Sequence, residues 1–431
     1  MPESRPEAAG TAVTAARLWQ EGRRDEAIGL YAGLQARNPQ DADLALRLGI
    51  AQAMTGRLVE AAGMLERAAA LAPERPDAQD WLGRVLATVH WRERGPEAIA
   101  PLRRAVAAAP DDGRLHMKLA VALLSCGRLG EAWPHYAWRW SVFGGAAGER
   151  QPQAPLERPD PSAWHGRRLL VFAEQGLGDT LQFLRYVPMA AGIAGQVTLE
   201  VPQPLAALAA TVAPGVRILV QGAPVLAHDI AVPLMHLPWA FGTELATIPA
   251  QVPYVAADPV RIAGWRARLS SLPGLKVGLV WAGDPRPDQP LAHRIDRRRS
   301  VRLAALAPLA GVAGVSFVSL QKGAGAQQAA APPPPMVLHD WTADLHDFAD
   351  TAALMAGLDL VISADTSPAH LAGALGRSVW LLNRYDSCWR WLRGREDSPW
   401  YPTLRIFRQA APGGWEPVVA QVAAALERFA A

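Results

Sequence analysis

Residues 361–376, VISADTSPAHLAGALG, place two hydroxyl side chains and a histidine where an apolar run gives way to small residues. Ser367 is a good helix N-cap, and Pro368 suits the first helical position because its missing N–H would be unpaired there. The free amides and the dipole at the start of such a helix attract an anion, most naturally a phosphate. Thr366 adds a second hydroxyl, and His370 lies one turn further on. The pattern predicts a phosphate site; the alternative is a well-capped structural helix with a core histidine.

A second segment, FAEQGLGDTLQFLRY, combines a glycine turn with an acid. Gly176 and Gly178 let the chain turn sharply after a strand and approach a ligand closely. The third glycine of the dinucleotide fingerprint is absent, so the motif alone is weak. Asp179 falls near the start of the next helix, where it could cap that helix or face a cleft. In the second case it could accept the proton of an attacking sugar hydroxyl.

Cationic residues follow other predicted strands. Gln321 and Lys322 come directly after VSFVSL, and Lys322 could neutralise a pyrophosphate as a compact point charge. A single lysine is more often an ordinary solvated surface group. Arg298 and Arg299, in the run HRIDRRRS, could also reach phosphate, although such a run is more often an exposed basic loop.

Two further stretches could contact a base or a sugar. Trp281 and Gly283 follow the apolar run VGLV, where a backbone loop could line the cleft. Residues 389–402, WRWLRGREDSPWYP, bring several aromatic rings together in sequence. These rings could stack on a ligand, or they could pin the last crossover of the chain onto the preceding domain. The sequence favours neither interpretation.

These segments belong to two sets of short apolar runs that alternate with helical stretches. Such alternation predicts parallel sheets covered on both faces. We expect a Rossmann-like domain over residues 168–260 and a second over residues 261–431, with a cleft between them. A linker rich in Gly and Pro is predicted over residues 143–167. In open parallel sheets the ligand lies beyond the carboxyl ends of the strands, which is where the candidate residues fall.

The first third of the chain is repetitive. EGRRDEAIGLYAGLQARNPQDADLALRLG is echoed by TGRLVEAAGMLERAAALAPERPDAQDWLG, with Gly22 and Gly56 spaced 34 residues apart. The third copy is shifted by three residues near HWRERG. A period of 34 that ends in proline resembles the tetratricopeptide repeat, or TPR. Residues 1–142 are therefore predicted to form a helical solenoid, with three full repeats and the start of a fourth. A short groove along such an array would hold a peptide or another protein.

Composition sets broad limits on the function. The chain has 431 residues, half of them hydrophobic, and a formal charge of +3, which is too weak to argue for nucleic acid. Cys126 and Cys388 form no disulfide framework, so we expect a reducing compartment. Neither a signal peptide nor a transmembrane span is predicted. The D-x-D pattern of Asp41 and Asp43 lies in a repeat turn, so no metal site is expected. These features predict a cytoplasmic protein.

Taken together, the segments resemble bacterial TPR proteins fused to a GT-B glycosyltransferase module, similar to the heptosyltransferases and distantly to the protein O-GlcNAc transferases. The resemblance covers roughly residues 168–410, through EQGLGDTLQFLRY, VGLVWAG, DRRRS, SLQKG, DFADTAALMAGLDLVISADTSPAHLAGALGRSVWLL and WRWLRGREDSPWYPTLRIFRQ. It implies an α-helical TPR solenoid followed by an α/β GT-B fold, in which two Rossmann-like domains face a cleft and the second holds a nucleotide-sugar.

The resemblance also implies roles for individual residues. Asp179 corresponds to the proposed catalytic base of the heptosyltransferases. The segment that binds the donor pyrophosphate corresponds to Asp365, Thr366 and His370, with Ser367 alongside. Lys322 matches the lysine of the repeat-fused group. Inverting, metal-independent transfer is implied, with the nucleotide-sugar as co-substrate and no other cofactor.

Three functional hypotheses follow. The first is a glycosyltransferase whose repeats present a protein acceptor. The second is a binding scaffold whose α/β module has lost activity. The third is a nucleotide-sugar epimerase of similar architecture, which would need no second substrate.

Overall fold

The computed structural model describes residues 5–88, 94–143 and 156–431, with the backbone only for residues 5–9 and 291. Packing divides the chain into two units, Met1–Gly144 and Gly145–Ala431. In the described residues, no helix combines the length and the apolar character that crossing a bilayer requires.

The described part of the first unit is helical throughout. Its helices are α1 (Arg5–Gln20), α2 (Arg24–Arg37), α3 (Ala42–Met54), α4 (Leu58–Leu71), α5 (Pro76–Thr88), α6 (Ile99–Ala108), α7 (Gly113–Ser125), α8 (Leu129–Tyr136) and α9 (Arg139–Phe143). Consecutive helices pack in pairs, α1 with α2, α3 with α4, α5 with α6 and α7 with α8. The predicted helical array is confirmed, and it forms four hairpins.

Glycines at the repeat period make the turns within three hairpins. Gly22, Gly56 and Gly127 have φ angles of 81°, 84° and 75°. This left-handed backbone costs a residue with a Cβ atom free energy, which is why glycine recurs there. The equivalent position in the remaining hairpin, residue 93, lies outside the described residues, as does most of the predicted three-residue insertion.

Small residues let paired helices approach closely. A Cβ atom on Gly49 would lie 2.7 Å from Leu65 Cγ, and one on Gly83 would lie 2.5 Å from Leu102 Cγ. Leu65 and Leu102 are fully buried at these crossings. The second and third hairpins therefore each close around a glycine on the first helix and a leucine on the second.

The second unit alternates strands with helices. Its elements are β1 (Arg168–Phe172), α10 (Leu177–Phe183), α11 (Val187–Ala191), β2 (Gln196–Val201), α12 (Ala206–Ala209), β3 (Arg217–Val220), β4 (Ile230–Pro233), α13 (Leu237–Ala240), α14 (Pro259–Ser270), β5 (Leu275–Val280), α15 (Pro290–Arg299), β6 (Val315–Ser319), β7 (Leu338–Asp340), α16 (Phe348–Ala356), β8 (Leu360–Ala364), α17 (Ser367–Ala374), β9 (Val379–Asn383), β10 (Leu404–Arg408) and α18 (Glu416–Ala430).

The strands form two parallel sheets. The first has the order β3–β2–β1–β4, and the second has the order β10–β9–β8–β5–β6–β7. Neighbouring strands are parallel throughout, for example Val171 beside Leu199 and Val280 beside Ser363. An α/β module with parallel sheets is thus present after the repeats. In the second sheet the chain leaves β5 toward β6 and later returns to β8 on the other side. This arrangement places a topological switch point between β5 and β8.

The last part of the predicted linker belongs to the second unit's core. Trp164 is buried and meets the Phe241 ring edge-on, with the centroids 5.7 Å apart. Residues 156–167 therefore do not form a free connector, because burial of this indole ties them to α13 and its following turn. Residues 144–155 of the predicted linker lie outside the described residues.

Candidate active site

A cavity of about 860 Å³ lies at the carboxyl ends of the strands. Its walls come from the segments that follow β1, β5, β6, β8 and β9, so both sheets contribute. Ligand sites of parallel sheets lie at this edge because the loops and helix N-termini converge there. The cavity size falls in the range of about 300–1,000 Å³ that is typical of small-molecule pockets.

The N-terminus of α17 opens into this cavity. Thr366 is the N-cap, with φ −144° and ψ 172°, and Ser367 and Pro368 are the first two helical residues. The expectation that Ser367 is the N-cap is therefore wrong by one position. The Thr366 side chain makes no capping hydrogen bond, and its hydroxyl instead donates to the Ala364 carbonyl at 3.3 Å. Pro368 has no N–H and the Ala369 amide donates to the Thr366 carbonyl at 3.0 Å, so among residues 367–369 the Ser367 amide is the donor for which the described residues supply no acceptor. Thr366, Ser367 and Pro368 line the cavity.

Asp179 combines the two roles that the sequence left open. Its Oδ2 accepts a hydrogen bond from the Gly176 amide at 2.9 Å, so the side chain reaches back to the N-cap residue of α10. Its Oδ1 forms an ion pair with Arg390, and the side chain is 21% exposed on the cavity wall. The preceding Gln175 has a left-handed backbone, with φ 63°, so the turn after β1 is sharp. The carboxylate is thus held in a fixed orientation at the cavity.

The starts of α10 and α17 touch each other at Gly178. A Cβ atom on this residue would lie 3.0 Å from His370 Cδ2 and 3.5 Å from Ser367 Cα. Glycine is needed here because of this close approach, rather than for an unusual φ angle. The contact brings Asp179 beside the segment of residues 366–370, although the two are far apart in sequence.

His370 lies at the cavity in an aromatic setting. Its ring stacks on Trp391 at 5.0 Å between centroids, and its Nδ1 lies 2.9 Å from the Tyr401 hydroxyl. Burial, with smaller contributions from Arg390 and Arg185, holds the pKa of His370 well below its usual value. The imidazole is therefore neutral, and it contributes a dipole to the site and no charge.

Asp365 and Gln321 line the cavity but direct their polar groups to the protein. Asp365 Oδ1 accepts a hydrogen bond from Trp391 Nε1 at 2.8 Å. Gln321 Oε1 accepts from the amides of Trp281 and Ala282, and its Nε2 donates to the carbonyls of Ala282 and Lys322. The Gln321 amide is therefore used in joining the ends of β5 and β6, and Asp365 Oδ1 is used in holding the Trp391 indole.

Trp281 was predicted to line the cleft, and this prediction is wrong. The side chain is fully buried in the core below the sheet, where its Nε1 donates to the Gly325 carbonyl at 3.1 Å. A large ring at the end of β5 gains more free energy in that core than at a polar cavity wall. Gly283 does line the cavity, and a Cβ atom there would lie 2.1 Å from Asp296 Oδ1.

Lys322 lies at the cavity without a carboxylate partner among the described residues. Its Nζ donates to the carbonyls of Thr342 and Leu345, at 2.8 and 2.9 Å. An ammonium group has three N–H donors. One donor and the full positive charge are therefore still available to a ligand anion.

Three arginines complete the cationic wall, and two of them were not foreseen. Arg299 is the last residue of α15, so the basic run that was expected to be a loop is helical up to this residue. Its guanidinium donates a hydrogen bond to the Asp365 carbonyl at 3.1 Å. Arg384 and Arg390 follow β9 and are buried, with 7% and 8% exposure. The available sequence signal was the position of Arg384 directly after β9, which ends at Asn383. Arg390 lies seven residues beyond that strand, so its position in sequence gave no such signal.

The aromatic run at residues 389–402 pins the chain together. Trp391, Trp400 and Tyr401 are completely buried, and Trp400 meets Phe183 edge-on at 6.0 Å. The sequence favoured neither ligand stacking nor pinning for these rings, and the burial of these three shows that they pin the chain.

Within the described residues, no cluster of three or more His, Cys, Asp or Glu side chains is arranged to hold a metal ion.

Comparison with known proteins adds family evidence. Tetratricopeptide-repeat family models match residues 18–85 and 92–137. Over 445 aligned residues the chain is 30% identical to "Protein FlbA" of Caulobacter vibrioides, covering 97% of this chain and 72% of that protein.

Several solved structures are similar to part of this chain. MamA (AMB-1) and YrrB, described as a TPR protein with an unusual peptide-binding site, are each 22% identical with a TM-score of 0.30. They cover 34% of this chain, and 79% and 78% of their own. The first TPR of Spaghetti (RPAP3), bound to an HSP90 peptide, is 18% identical with a TM-score of 0.26, covering 28% of this chain and 94% of its own.

Proposed function

This chain belongs to the family of Protein FlbA, and we propose that it is a glycosyltransferase that moves a sugar from a nucleotide-sugar to an acceptor hydroxyl. The observation that carries the proposal is the meeting of Asp179, the N-terminus of α17 and a cationic wall at one cavity between two parallel sheets. The resemblance to heptosyltransferases implies an inverting reaction without a metal ion.

In the proposed reaction the acceptor oxygen attacks the anomeric carbon of the donor. The bond from that carbon to the diphosphate oxygen breaks, and its electron pair leaves with the diphosphate. Lys322, Arg384 and the Ser367 amide with the helix dipole of α17 stabilise the charge that develops there, as preorganised donors do in other enzymes. Asp179 receives the proton of the acceptor hydroxyl, which requires its ion pair with Arg390 to loosen.

Asp179→Asn tests this assignment. The amide keeps the size of the side chain but cannot take up the proton, so we expect transfer to fall by about 100-fold or more. Nucleotide affinity, measured by titration calorimetry, should change little. The matched control is Asp284→Asn at the cavity rim, whose side chain is 74% exposed. Retained turnover in Asp179→Asn would remove this residue from the mechanism.

The repeats are proposed to hold a protein acceptor, because stacked helical hairpins form extended concave surfaces. Mass spectrometry of proteins from cells with and without this chain would identify a sugar added to that acceptor.

The competing scaffold hypothesis predicts that titration calorimetry detects no heat of binding with any member of a panel of nucleotides and nucleotide-sugars. A donor consumed without any acceptor would favour the epimerase instead.

A further inference from the structure

Behind His370 lies a short chain of hydroxyl groups that ends at a buried cation. His370 Nδ1 is 2.9 Å from the Tyr401 hydroxyl, which is 3.4 Å from the Tyr254 hydroxyl. The Tyr254 oxygen accepts a hydrogen bond from Arg185 Nη2 at 3.1 Å. Tyr254 also lies 2.9 Å from the Leu181 carbonyl, to which its single proton can be donated.

These distances favour one assignment of the protons. Tyr254 donates to the Leu181 carbonyl, since 2.9 Å is a good hydrogen-bond length and 3.4 Å to Tyr401 is long. Tyr401 likewise has one proton and two neighbours. The nearer neighbour is His370 Nδ1, so we assign the phenol as the donor to the ring nitrogen.

A neutral imidazole carries one proton, and a ring whose Nδ1 accepts must carry that proton on Nε2. We propose that Tyr401 is a positioning residue that holds His370 as the Nε2–H tautomer, so that a neutral ring donates a hydrogen bond to a phosphate oxygen in the cavity. The identity of that oxygen rests on the proposed function, whereas the tautomer does not.

The groups around the ring keep it neutral. Arg185 from the segment after α10 and Arg390 from the segment after β9 both disfavour a second proton, and burial disfavours it more. Burial also raises the pKa of Tyr401 well above its usual value, so the phenol keeps its proton. The facing Trp391 ring carries no charge. The donor at Nε2 is therefore expected to persist from neutral pH down through the usual pKa of histidine.

The opposite edge of the ring faces the start of α10. A Cβ atom on Gly178 would lie 3.6 Å from His370 Nε2. Within the described part of the chain no hydrogen bond of Nε2 is found, and His370 lines the cavity together with Ser367 and Asp179. A ligand oxyanion beside the α17 amides would lie within reach of this N–H.

Nitrogen-15 NMR of the full-length protein with labelled histidine tests the tautomer directly. The His370 signals, assigned by their loss in His370→Gln, should show a protonated Nε2 and an unprotonated Nδ1 across that pH range. Added inorganic pyrophosphate should shift the Nε2 signal more than the Nδ1 signal. A protonated Nδ1 in the unliganded protein would overturn the proposal.

Two tyrosine variants separate positioning from general damage to the network. Tyr401→Phe removes the donor to Nδ1, so we expect a mixture of tautomers and about 10-fold weaker nucleotide binding. Tyr254→Phe removes a hydroxyl from the same network but leaves the Tyr401–His370 contact, so the tautomer should stay unchanged. An unchanged tautomer in Tyr401→Phe, or the same change in both variants, would contradict the role of Tyr401.

A double variant completes the test. His370→Gln provides an amide donor whose state does not depend on Tyr401, so adding Tyr401→Phe should cause less than about a twofold further loss of affinity. An additive 10-fold loss would assign Tyr401 a purely structural role. If no nucleotide binds the wild-type protein while the tautomer is as expected, the proposed function fails and the positioning of His370 stands.

Discussion

Arg384 shows how a single residue indicates a ligand anion. The guanidinium is buried, its Nη1 has no hydrogen-bond partner among the described residues, and its Nε lies 3.5 Å from Asp386 Oδ1. That carboxylate is already held by Arg298 at 2.7 Å. A buried cation with poor compensation costs free energy in the empty site. Phosphate oxygens would offset this cost by accepting bidentate hydrogen bonds.

Arg384→Gln should therefore weaken binding without weakening the fold. We expect about 10- to 100-fold lower affinity for the nucleotide, because charge-assisted hydrogen bonds are lost. The midpoint of thermal unfolding should stay the same or rise. Arg298→Gln is the matched control, since it shares Asp386, is 52% exposed on its side chain and does not line the cavity. Equal affinities in the two variants would exclude Arg384 from the site.

For single residues, the sequence predicted which side chains line the cavity better than it predicted what those side chains contact. Asp179, Lys322 and the hydroxyls after β8 follow strands and do line the cavity. The hydrogen-bond and ion-pair partners of the site residues could not be predicted, because they come from segments that are distant in sequence. Gln321 satisfies backbone groups 39 and 40 residues away, and Asp365 holds Trp391. A polar residue after a strand can bind a ligand or the neighbouring strand end, and only the fold distinguishes these cases.

Among elements, the contact between α10 and α17 does the most to assemble the site. Gly178→Ala would place a methyl group 3.0 Å from His370 Cδ2, and the ring cannot retreat because Trp391 and Tyr401 hold it. We expect a displaced α17 N-terminus, at least about 10-fold lower kcat/KM and about 1 kcal/mol or more lower stability.

The matched control for that prediction is Gly264→Ala in α14. No atom lies within 4 Å of a Cβ there. It should leave activity unchanged and raise stability by about 0.5–1 kcal/mol, because alanine favours a helix interior. Wild-type kinetics in Gly178→Ala would show that the approach of the two helices is not needed for turnover.

Element prediction succeeded where the hydrophobic pattern was strong. The apolar runs that form β1 to β9 were recognised, and the start of α17 was placed within one residue. The strand β10, LRIFR, was not predicted, because Arg405 and Arg408 interrupt the apolar run that marks a buried parallel strand. It lies at the edge of its sheet beside β9, where Arg405 is exposed, so the weaker pattern reflects its place in the fold.

At the scale of the second unit, Arg185 joins the two sheets. It donates to the carbonyls of Gln182, Pro249 and Trp400, and its guanidinium lies 4.7 Å from the centroids of Tyr254 and Tyr401. No carboxylate pairs with it within the described residues; the cation is held by carbonyl dipoles and aromatic faces. This cluster links the segment after α10 to the end of the aromatic run.

Arg185→Met should destabilise this unit by about 3 kcal/mol or more, since several buried carbonyls would lose their donor. Arg185→Lys should lower the stability by less than Arg185→Met, because lysine keeps the positive charge but has fewer N–H donors than arginine. Calorimetric unfolding measures both, with Arg217→Met at the exposed start of β3 as the control. A loss no larger than that of the control would mean that the two halves are held together elsewhere.

The most direct measurement of the central claim uses Cys388, which lines the cavity beside Arg390 at 3.2 Å. Alkylation of this thiol by N-ethylmaleimide would be followed by mass spectrometry, with Cys126 of the first unit as internal reference. If a nucleoside phosphate occupies the cavity, at least one of UDP, GDP, ADP, CDP and CMP should slow alkylation of Cys388 by about 10-fold or more and leave Cys126 unaffected. Equal rates at Cys388 with and without every one of them, at millimolar concentration, would contradict the account.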